Sequence, residues 1–111
     1  MLIHDIADYA VAERTRLLPD EVFHHAKRAV IDWCATTAPG TLVMPATGLV
    51  KAFADDIGHG DVRLFPSGTK ATMRTAAVIN AAASHTVEFD DIFRDALYHA
   101  GTPAVSTALA A

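Results

Sequence analysis

The sequence has a single cysteine, no long hydrophobic run and no excess of basic residues, and each shortage excludes a class of protein. Cys34 has no partner for an internal disulfide, and no Cys and His residues have zinc-finger spacing. No apolar run approaches the roughly 20 residues that cross a bilayer, and the N-terminus lacks the pattern of a secretory signal. We therefore expect a soluble, cytoplasmic protein with no membrane partner.

The charge balance also argues against nucleic acid as a partner. Nine Lys and Arg residues face thirteen Asp and Glu residues, which gives a net charge of −4, and the basic residues are scattered. The length of 111 residues and the 51% share of hydrophobic residues suit one compact core and leave no room for a second domain.

Helical periodicity is clearest after residue 18. Pro19 stands at a first-turn position, and the acidic residues Asp20 and Glu21 favour the positive end of a helix dipole. The apolar positions that follow fall on one helical face: Val22, Ala26, Ala29, Val30, Trp33 and Cys34. This pattern predicts a helix that ends at Ala38-Pro39-Gly40, preceded by a shorter helix that ends before Leu17.

The middle of the chain predicts two more helices and one strand. The first of these helices runs from Pro45 to Ile57 and is terminated by Gly58-His59-Gly60. Alternating polar and apolar residues from Asp61 to Phe65 form the one candidate strand, which is too short to make a sheet alone. After a turn, a helix from about Ala71 to Thr86 is apolar on both sides, which is typical of a buried helix.

A last helix is predicted with Thr102 as its N-cap and Pro103 at its first position. The alanine-rich stretch from Ala104 to Ala111 has no glycine or asparagine cap and no basic last turn. We therefore predict an all-α fold class, with residues 1–111 as a single helical unit that is an incomplete, N-terminal part of a larger helical domain.

Residues that can carry chemistry are concentrated between Asn80 and Pro103. This stretch contains an amide, two histidines and four carboxylates, and it lies between a buried helix and the N-terminus of the next helix. Rigid scaffolds often present reactive groups in irregular segments of this kind. An ordinary solvated acidic loop is an equally good interpretation of its acids, which are Glu88, Asp90, Asp91 and Asp95.

The two histidines of this stretch differ in what surrounds them. His99 precedes Gly101 and Thr102, where free backbone N–H groups at a helix start can hold a carboxylate. An imidazole beside an anion site can move protons on a bound acid, whereas most histidines near a helix cap are surface residues. His85 lies one turn before Glu88, so the two side chains pair if the helix continues that far.

Other polar residues have structural interpretations. Asn80 lies on the small-residue face of a buried helix, so we expect its amide to bond neighbouring backbone and fix the next loop. Cys34 shares a helical stripe with Trp33 and is interpreted as a core residue. His24 and His25 face different directions with no further ligand at suitable spacing, which argues against a metal site there.

The order of these motifs resembles that of the MmgE/PrpD family, which includes 2-methylcitrate dehydratases, cis-aconitate decarboxylases and iminodisuccinate epimerases. The family pattern is A-A-x-x-N-G, three residues, H, two residues, D-F-D-D, then H-P-G and a helix. The matching segments here are Ala76 to Asn80, His85, Glu88 to Asp91 and His99 to Gly101. An early pattern of L-P, A-K and D is matched by Leu18-Pro19, Ala26-Lys27 and Ile31-Asp32, so the resemblance covers most of the chain.

Four positions depart from the family pattern. Ala81 replaces the glycine after the asparagine, and Ala100 replaces the proline after the histidine. Glu88 replaces the first acid of the D-F-D-D block, which keeps the charge and moves it about one methylene further out. Ile92 stands where the decarboxylase branch has a threonine, and this difference counts against decarboxylation.

The resemblance implies an enzyme that acts on a small di- or tricarboxylate without a metal or an organic cofactor. The implied reaction is proton abstraction next to a carboxylate by a lyase or isomerase, most closely a 2-methylcitrate dehydratase. The implied architecture is a large helical domain with a smaller α+β domain, assembled as a homodimer.

The implied catalytic residues are His99, Glu88, Asp90 and Asp91, and the implied substrate-binding residues are His85, Gly101 and Thr102. Because the lysines that clamp the substrate in relatives lie beyond Ala111, we expect this segment alone to be inactive.

Two alternatives to this interpretation stay open at the level of sequence. Asp90, Asp91 and Asp95 form a D-D-x-x-x-D pattern, which could hold Mg²⁺ for a diphosphate substrate if all three lie on one continuous helix. A non-catalytic alternative is a helical module whose alanine-rich faces only pack against a partner.

Overall fold

A computed structural model describes all of residues 1–111, and the chain folds into five α-helices and a small sheet. In chain order the elements are α1 (Leu2–Glu13), α2 (Asp20–Gly40), α3 (Ala46–Ala52), a 3-10 turn (Ala54–Asp56), β1 (Ile57–Arg63), β2 (Lys70–Ala71), α4 (Met73–His85) and α5 (Gly101–Ala108). Helix α4 packs against α2, α3 and α5, and α2 also contacts α5. No helix is both long enough and apolar enough to cross a bilayer.

Helix α4 is the most deeply buried element, but it is buried on one face, and the burial on both sides that its apolar pattern predicts is wrong because Met73 and Val78 lie exposed. Its buried residues recur at helical spacing: Thr75, Ala76, Ile79, Asn80, Ala83 and Ser84. Ala76 and Ile79 form a core cluster with Leu64 and Ala71, and side chains from α3 and β1 pack around it. The sheet and the helices therefore share one core, with α4 at its centre.

Small side chains allow α2 and α4 to approach closely at one point. Gly40 is buried, and a Cβ atom added there would collide with the backbone of Ala83 on α4. Trp33 on α2 is also buried and donates its indole N–H to Ser106 Oγ on α5, at 2.8 Å. This bond ties α2 to the last helix across the core.

The amide of Asn80 fastens the segment before α4 to the helix. Its Oδ1 accepts the Phe65 backbone N–H at 3.0 Å, and its Nδ2 donates to the Arg63 carbonyl at 3.1 Å. The prediction that Asn80 bonds neighbouring backbone is confirmed, although the segment it fixes precedes α4 instead of following it. A buried amide that satisfies a donor and an acceptor in this way is a structural residue.

The predicted all-α fold class is right about the dominant helices and wrong about the sheet. Strand β1 begins at Ile57, four residues before the predicted strand, and pairs in antiparallel fashion with β2 across an irregular register between Ile57 and Val62. The predicted helix terminator, Gly58-His59-Gly60, lies within this strand, and Gly58 and Gly60 adopt positive φ angles of 89° and 83° at its irregular register. The helix predicted from Pro45 to Ile57 correspondingly ends at Ala52.

The apolar stripe predicted for α2 is mostly not buried. Of its members only Trp33 is buried, and Val22 and Val30 lie exposed because no element of this chain covers the first half of α2. Polar Thr36 and Thr37 take core positions instead, with both hydroxyls bonded to the Trp33 carbonyl. Helix α2 ends at Gly40, so the predicted end at Ala38-Pro39-Gly40 is confirmed.

Replacement of Asn80 by alanine tests its fastening role. We expect Asn80→Ala to lower the free energy of unfolding by about 2 kcal/mol or more, because the Phe65 N–H and the Arg63 carbonyl lose their partners in a partly buried place. Urea unfolding of the purified protein measures this loss. The control is Val78→Ala on the exposed side of the same helix, for which we expect a change within about 0.5 kcal/mol. Equal effects of the two substitutions would contradict the assignment.

Candidate functional site

The candidate site is centred on the carboxylate of Asp90, in the irregular segment between α4 and α5. The Asp90 side chain is only 3% exposed. Its two oxygens lie 3.3 and 3.1 Å from Nδ1 of His85, the last residue of α4. The Thr102 hydroxyl of α5 donates to Asp90 Oδ2 at 3.0 Å. A buried carboxylate needs such partners, because it has lost its contacts with water.

The second imidazole of the site is that of His99. Its Nδ1 lies 3.1 Å from Asp90 Oδ2, and the His85 and His99 rings meet edge to face with their centroids 4.5 Å apart. The contact of His99 Nδ1 with Asp90 is electrostatic, since it falls outside hydrogen-bond geometry and leaves this buried nitrogen without a hydrogen-bond partner. One carboxylate therefore lies between two imidazoles.

The surroundings of Asp90 favour its ionised form. Burial by itself raises the pKa of Asp90, but hydrogen bonds from His85 and Thr102 outweigh that effect, and the pKa lies below its ordinary value. The Asp90 side chain is therefore a fixed negative charge beside two groups that can carry a positive one.

The neighbouring Asp91 has a different partner. Both of its carboxylate oxygens accept the Gly101 backbone N–H, at 2.9 and 3.1 Å, at the start of α5. A Cβ atom at residue 101 would collide with this carboxylate, so the glycine makes room for it. Thr102 was predicted as the N-cap, but the helix begins at Gly101 and the Thr102 hydroxyl turns to Asp90. The predicted anion site at this helix start thus holds a carboxylate of the chain itself.

Glu88 extends from the site toward solvent. It has a φ of 57°, in the left-handed region that residues other than glycine rarely adopt, and its side chain is 73% exposed. Its Oε1 lies 3.6 Å from His85 Nε2, so the predicted pair forms although α4 ends at His85. The left-handed turn at Glu88, in place of a further turn of helix, brings the two side chains together.

Two residues that the sequence reasoning did not assign to the site support it. Asp32 on α2 accepts the Asp91 backbone N–H at 3.2 Å, which anchors the acidic segment to a distant helix. Ser84 on α4 donates to the Thr102 hydroxyl at 3.1 Å, and that hydroxyl in turn donates to Asp90. The sequence feature that could have identified Ser84 is its position as a polar residue on the small-residue face of a buried helix. For Asp32, the only such feature is its match to the aspartate in the L-P, A-K and D pattern near the start of the family sequence.

The geometry does not meet the condition for the magnesium alternative. Residues 88–100 contain no helix, whereas that interpretation requires the three acids on one continuous helix. Asp90 faces two imidazoles and Asp91 faces the Gly101 N–H, while Asp95 is exposed and belongs to no cluster of potential ligands. The three acids therefore do not act as one set.

Two open clefts adjoin the cluster. One, of about 280 Å³, is lined by both histidines together with Tyr98 and Pro103 among others. The other, of about 440 Å³, lies on the side of Glu88 and Pro45 and also reaches His85. A larger cavity of about 530 Å³ beside Trp33 and the end of the chain is mainly apolar. The chemistry of the side chains, and not the cavity volume, therefore identifies the site.

Comparison with known proteins places these residues in a family context. The family model described as the MmgE/PrpD N-terminal domain matches residues 4–111, which is nearly the whole chain. No curated protein and no solved structure matches the chain.

The contact between Asp91 and Gly101 leads to a stability prediction. We expect Asp91→Ala to lower the free energy of unfolding by about 1 kcal/mol, because the first N–H of α5 loses its carboxylate cap, and we expect Asp91→Asn to lose less. The matched control is Asp95→Ala, an exposed acid in the same segment, with an expected change within about 0.5 kcal/mol. Urea unfolding of the three variants checks this. An Asp95→Ala effect as large as that of Asp91→Ala would show that the cap contributes nothing specific.

The lowered pKa of Asp90 leads to a prediction about acid stability. Because its pKa is lower in the folded chain than in the unfolded chain, its stabilising contribution is complete above the unfolded value of about 4 and is lost as the pH falls through the folded value. We expect the difference in unfolding free energy between the wild type and Asp90→Asn to be constant just above that range and to shrink below it. Urea unfolding between pH 5 and pH 2 measures the difference, and a difference independent of pH would contradict the prediction.

Proposed function

The chain belongs to the MmgE/PrpD family, and from this premise we propose that it supplies the proton-transfer group of a cofactor-independent lyase that acts on a small di- or tricarboxylate. The reaction we favour is the dehydration of 2-methylcitrate or a close analogue. The observation that carries the proposal is the buried Asp90 carboxylate between the imidazoles of His85 and His99.

His99 is the proposed general acid or base. Its Nδ1 is buried against Asp90, whereas the side chain as a whole is 25% exposed, so Nε2 is the nitrogen left to reach a substrate. A fixed carboxylate behind an imidazole orients the ring and stabilises the imidazolium that forms when it takes a proton. His85 shares the same carboxylate, and we propose that it helps to hold Asp90 in place.

The proposed reaction needs only proton transfer. A base removes a proton from the carbon next to a substrate carboxylate, and the bond from the neighbouring carbon to its hydroxyl group breaks. The leaving hydroxide takes up a proton and departs as water, while a carbon–carbon double bond forms. No electron acceptor enters this balance, so a histidine and its supporting carboxylate are chemically sufficient for the proton steps.

The negative charge of the segment between α4 and α5 limits how it can bind an anionic substrate. Between Thr86 and Pro103 only Arg94 carries a permanent positive charge, against four carboxylates. A substrate with two or three negative charges is repelled by such surroundings unless further cations face it. Asp91 and Asp90 already occupy the Gly101 N–H and the Thr102 hydroxyl. We therefore place the cationic groups that grip the substrate on other parts of the assembled protein.

A packing role is a second candidate, favoured by the exposed apolar side chains at the start of the chain. Helix α1 has no buried residue. Large exposed apolar residues occur on α1 and along α2: Leu2, Ile3, Ile6, Tyr9, Val11, Val22, Phe23, Val30 and Ile31. Large apolar side chains that lie exposed on two consecutive helices suit contact with another protein surface. This exposure supports the proposal that residues 1–111 form part of a larger helical domain in a homodimer, and it is compatible with catalysis at His99.

Replacement of His99 tests the catalytic proposal. In the full-length protein, assayed with 2-methylcitrate, cis-aconitate and iminodisuccinate, we expect turnover of 2-methylcitrate and at least a roughly 100-fold loss of kcat in His99→Ala. The loss follows from removal of the group that moves the proton. Circular dichroism and urea unfolding of the variant establish that it is folded.

The matched control is His4→Ala, an exposed histidine on α1, which we expect to leave kcat unchanged. Unchanged turnover in folded His99→Ala would discard the catalytic role and leave the packing role. Activity on cis-aconitate or iminodisuccinate alone would keep the proton-transfer role and overturn the dehydratase assignment.

A further inference from the structure

A chain of two hydroxyl groups ends at the Asp90 carboxylate. Ser84 Oγ on α4 lies 3.1 Å from Thr102 Oγ1 on α5, which in turn lies 3.0 Å from Asp90 Oδ2. We propose that Ser84 is a positioning residue of the site, because its hydroxyl acts through that of Thr102 to hold the Asp90 carboxylate against His99. This inference rests on the proposed function, in which His99 moves the proton. It extends that function to a residue that is only 1% exposed.

The sequence motif does not account for a hydroxyl at residue 84. The family pattern specifies Asn80 and His85 and leaves the three residues before the histidine open, of which Ser84 is the last. Alanine occupies the fully buried positions 76 and 83 of the same helix, so close packing does not require a serine. A buried hydroxyl costs free energy unless it is hydrogen-bonded. The contacts of Ser84 Oγ therefore explain why this position is polar.

The negative charge of Asp90 sets the direction of the hydroxyl chain. The pKa of Asp90 lies below its ordinary value, so its carboxylate is ionised, can only accept, and receives the Thr102 proton. The Thr102 oxygen can then accept in turn, and no group other than Ser84 donates to it. Ser84 Oγ also lies 2.9 Å from the Ala81 carbonyl, but a carbonyl within a helix already accepts the backbone N–H four residues later. We therefore assign the Ser84 proton to Thr102.

The Asp90 oxygen at the end of this chain has three neighbours. Besides the Thr102 hydroxyl, His85 Nδ1 and His99 Nδ1 each lie 3.1 Å from Oδ2. A carboxylate held by His85 alone could turn about its Cβ–Cγ bond, and such a turn would carry Oδ2 away from His99. The Thr102 hydroxyl opposes this turn from a different helix. Donation by Ser84 polarises that hydroxyl and strengthens its bond to the carboxylate.

The position of Oδ2 matters for His99 because this imidazole has little else to hold it. His99 Nδ1 is buried and makes no hydrogen bond, and its contact with Asp90 is electrostatic. The orientation of the ring, and with it the direction of Nε2, therefore depends on where Oδ2 lies. A small misplacement of a proton-transfer group slows the chemical step and leaves the groups that bind the substrate untouched. The predicted effect of losing Ser84 is therefore on kcat and not on KM.

The kinetic test uses hydroxyl variants of the full-length protein with 2-methylcitrate as substrate. We expect kcat to fall about 10-fold in Thr102→Val, which removes the hydroxyl from a side chain of the same shape, and about 3-fold in Ser84→Ala, with KM unchanged. We expect Thr102→Ser, which keeps the hydroxyl, to retain most of the wild-type kcat. In the Thr102→Val background we expect Ser84→Ala to have no further effect, because the chain is already broken.

A second measurement does not depend on turnover. A hydrogen bond to an ionised carboxylate lowers its pKa, so we expect the pKa of Asp90 to rise toward its ordinary value in Thr102→Val and, by less, in Ser84→Ala. Carbon NMR of the aspartate carboxyl groups during an acid titration measures this change, and the Asp90 signal is identified by its absence in Asp90→Asn. The titratable groups nearest to Asp90 are the same in the hydroxyl variants: His85, His99, Glu88 and Asp91.

The matched control is Thr36→Val on α2. Thr36 is also a fully buried hydroxyl that bonds a carbonyl three residues earlier in its helix, at 3.1 Å, and it makes no hydrogen bond to the site. We expect this variant to leave both kcat and the pKa of Asp90 unchanged. Urea unfolding establishes that each variant is folded, and if Thr102→Val does not fold, Ser84→Ala carries both measurements by itself.

Three results would overturn the positioning role of Ser84. They are an unchanged pKa of Asp90 in folded Ser84→Ala, a kcat in that variant no lower than in Thr36→Val, and an equal effect of Ser84→Ala with and without the Thr102 hydroxyl. A wild-type protein that turns over neither 2-methylcitrate, cis-aconitate nor iminodisuccinate would instead contradict the proposed function. The Asp90 titration would then still decide whether the hydroxyl chain holds the carboxylate.

Discussion

The buried carboxylate of Asp90 is the constraint on which the rest of the site depends. A negative charge removed from water is tolerated only where donors or cations surround it. The chain meets this requirement with groups from three different places: the last residue of α4, the segment before α5, and the first turn of α5. The otherwise irregular segment between the two helices is shaped by the need to bring these groups together.

Neighbouring acids in this segment have separate tasks because the backbone turns between them. Asp90 faces the imidazoles, Asp91 caps α5, and Glu88 reaches toward solvent from a left-handed residue. A solvated acidic loop would leave all of them in water. The interpretation as an ordinary acidic loop therefore holds for Asp95, and it fails for the two acids that make buried contacts.

Hydrophobic periodicity and the order of motifs were sufficient to predict part of the structure. The burial of one face of α4, the backbone bonds of Asn80 and the family all follow from local patterns. The sequence could not predict the sheet, because β2 is two residues long and β1 depends on glycines at positive φ that read as a helix terminator. It also could not predict the exposed first half of α2, since periodicity shows which face is apolar and not whether anything covers it. The contact of Asp32 with the acidic segment depends on how helices pack, which no short motif records.

The anchors of the site join parts of the chain that are remote from one another in sequence. Asp32 holds Asp91 across 59 positions, and Trp33 holds Ser106 across 73. Contacts of such long range form only after the loops between them have closed, at an entropic cost that local turns do not bear. The attachment of the acidic segment to α2 therefore depends on the docking of that helix, whereas the contacts of His85 and Thr102 with Asp90 close only short stretches of chain.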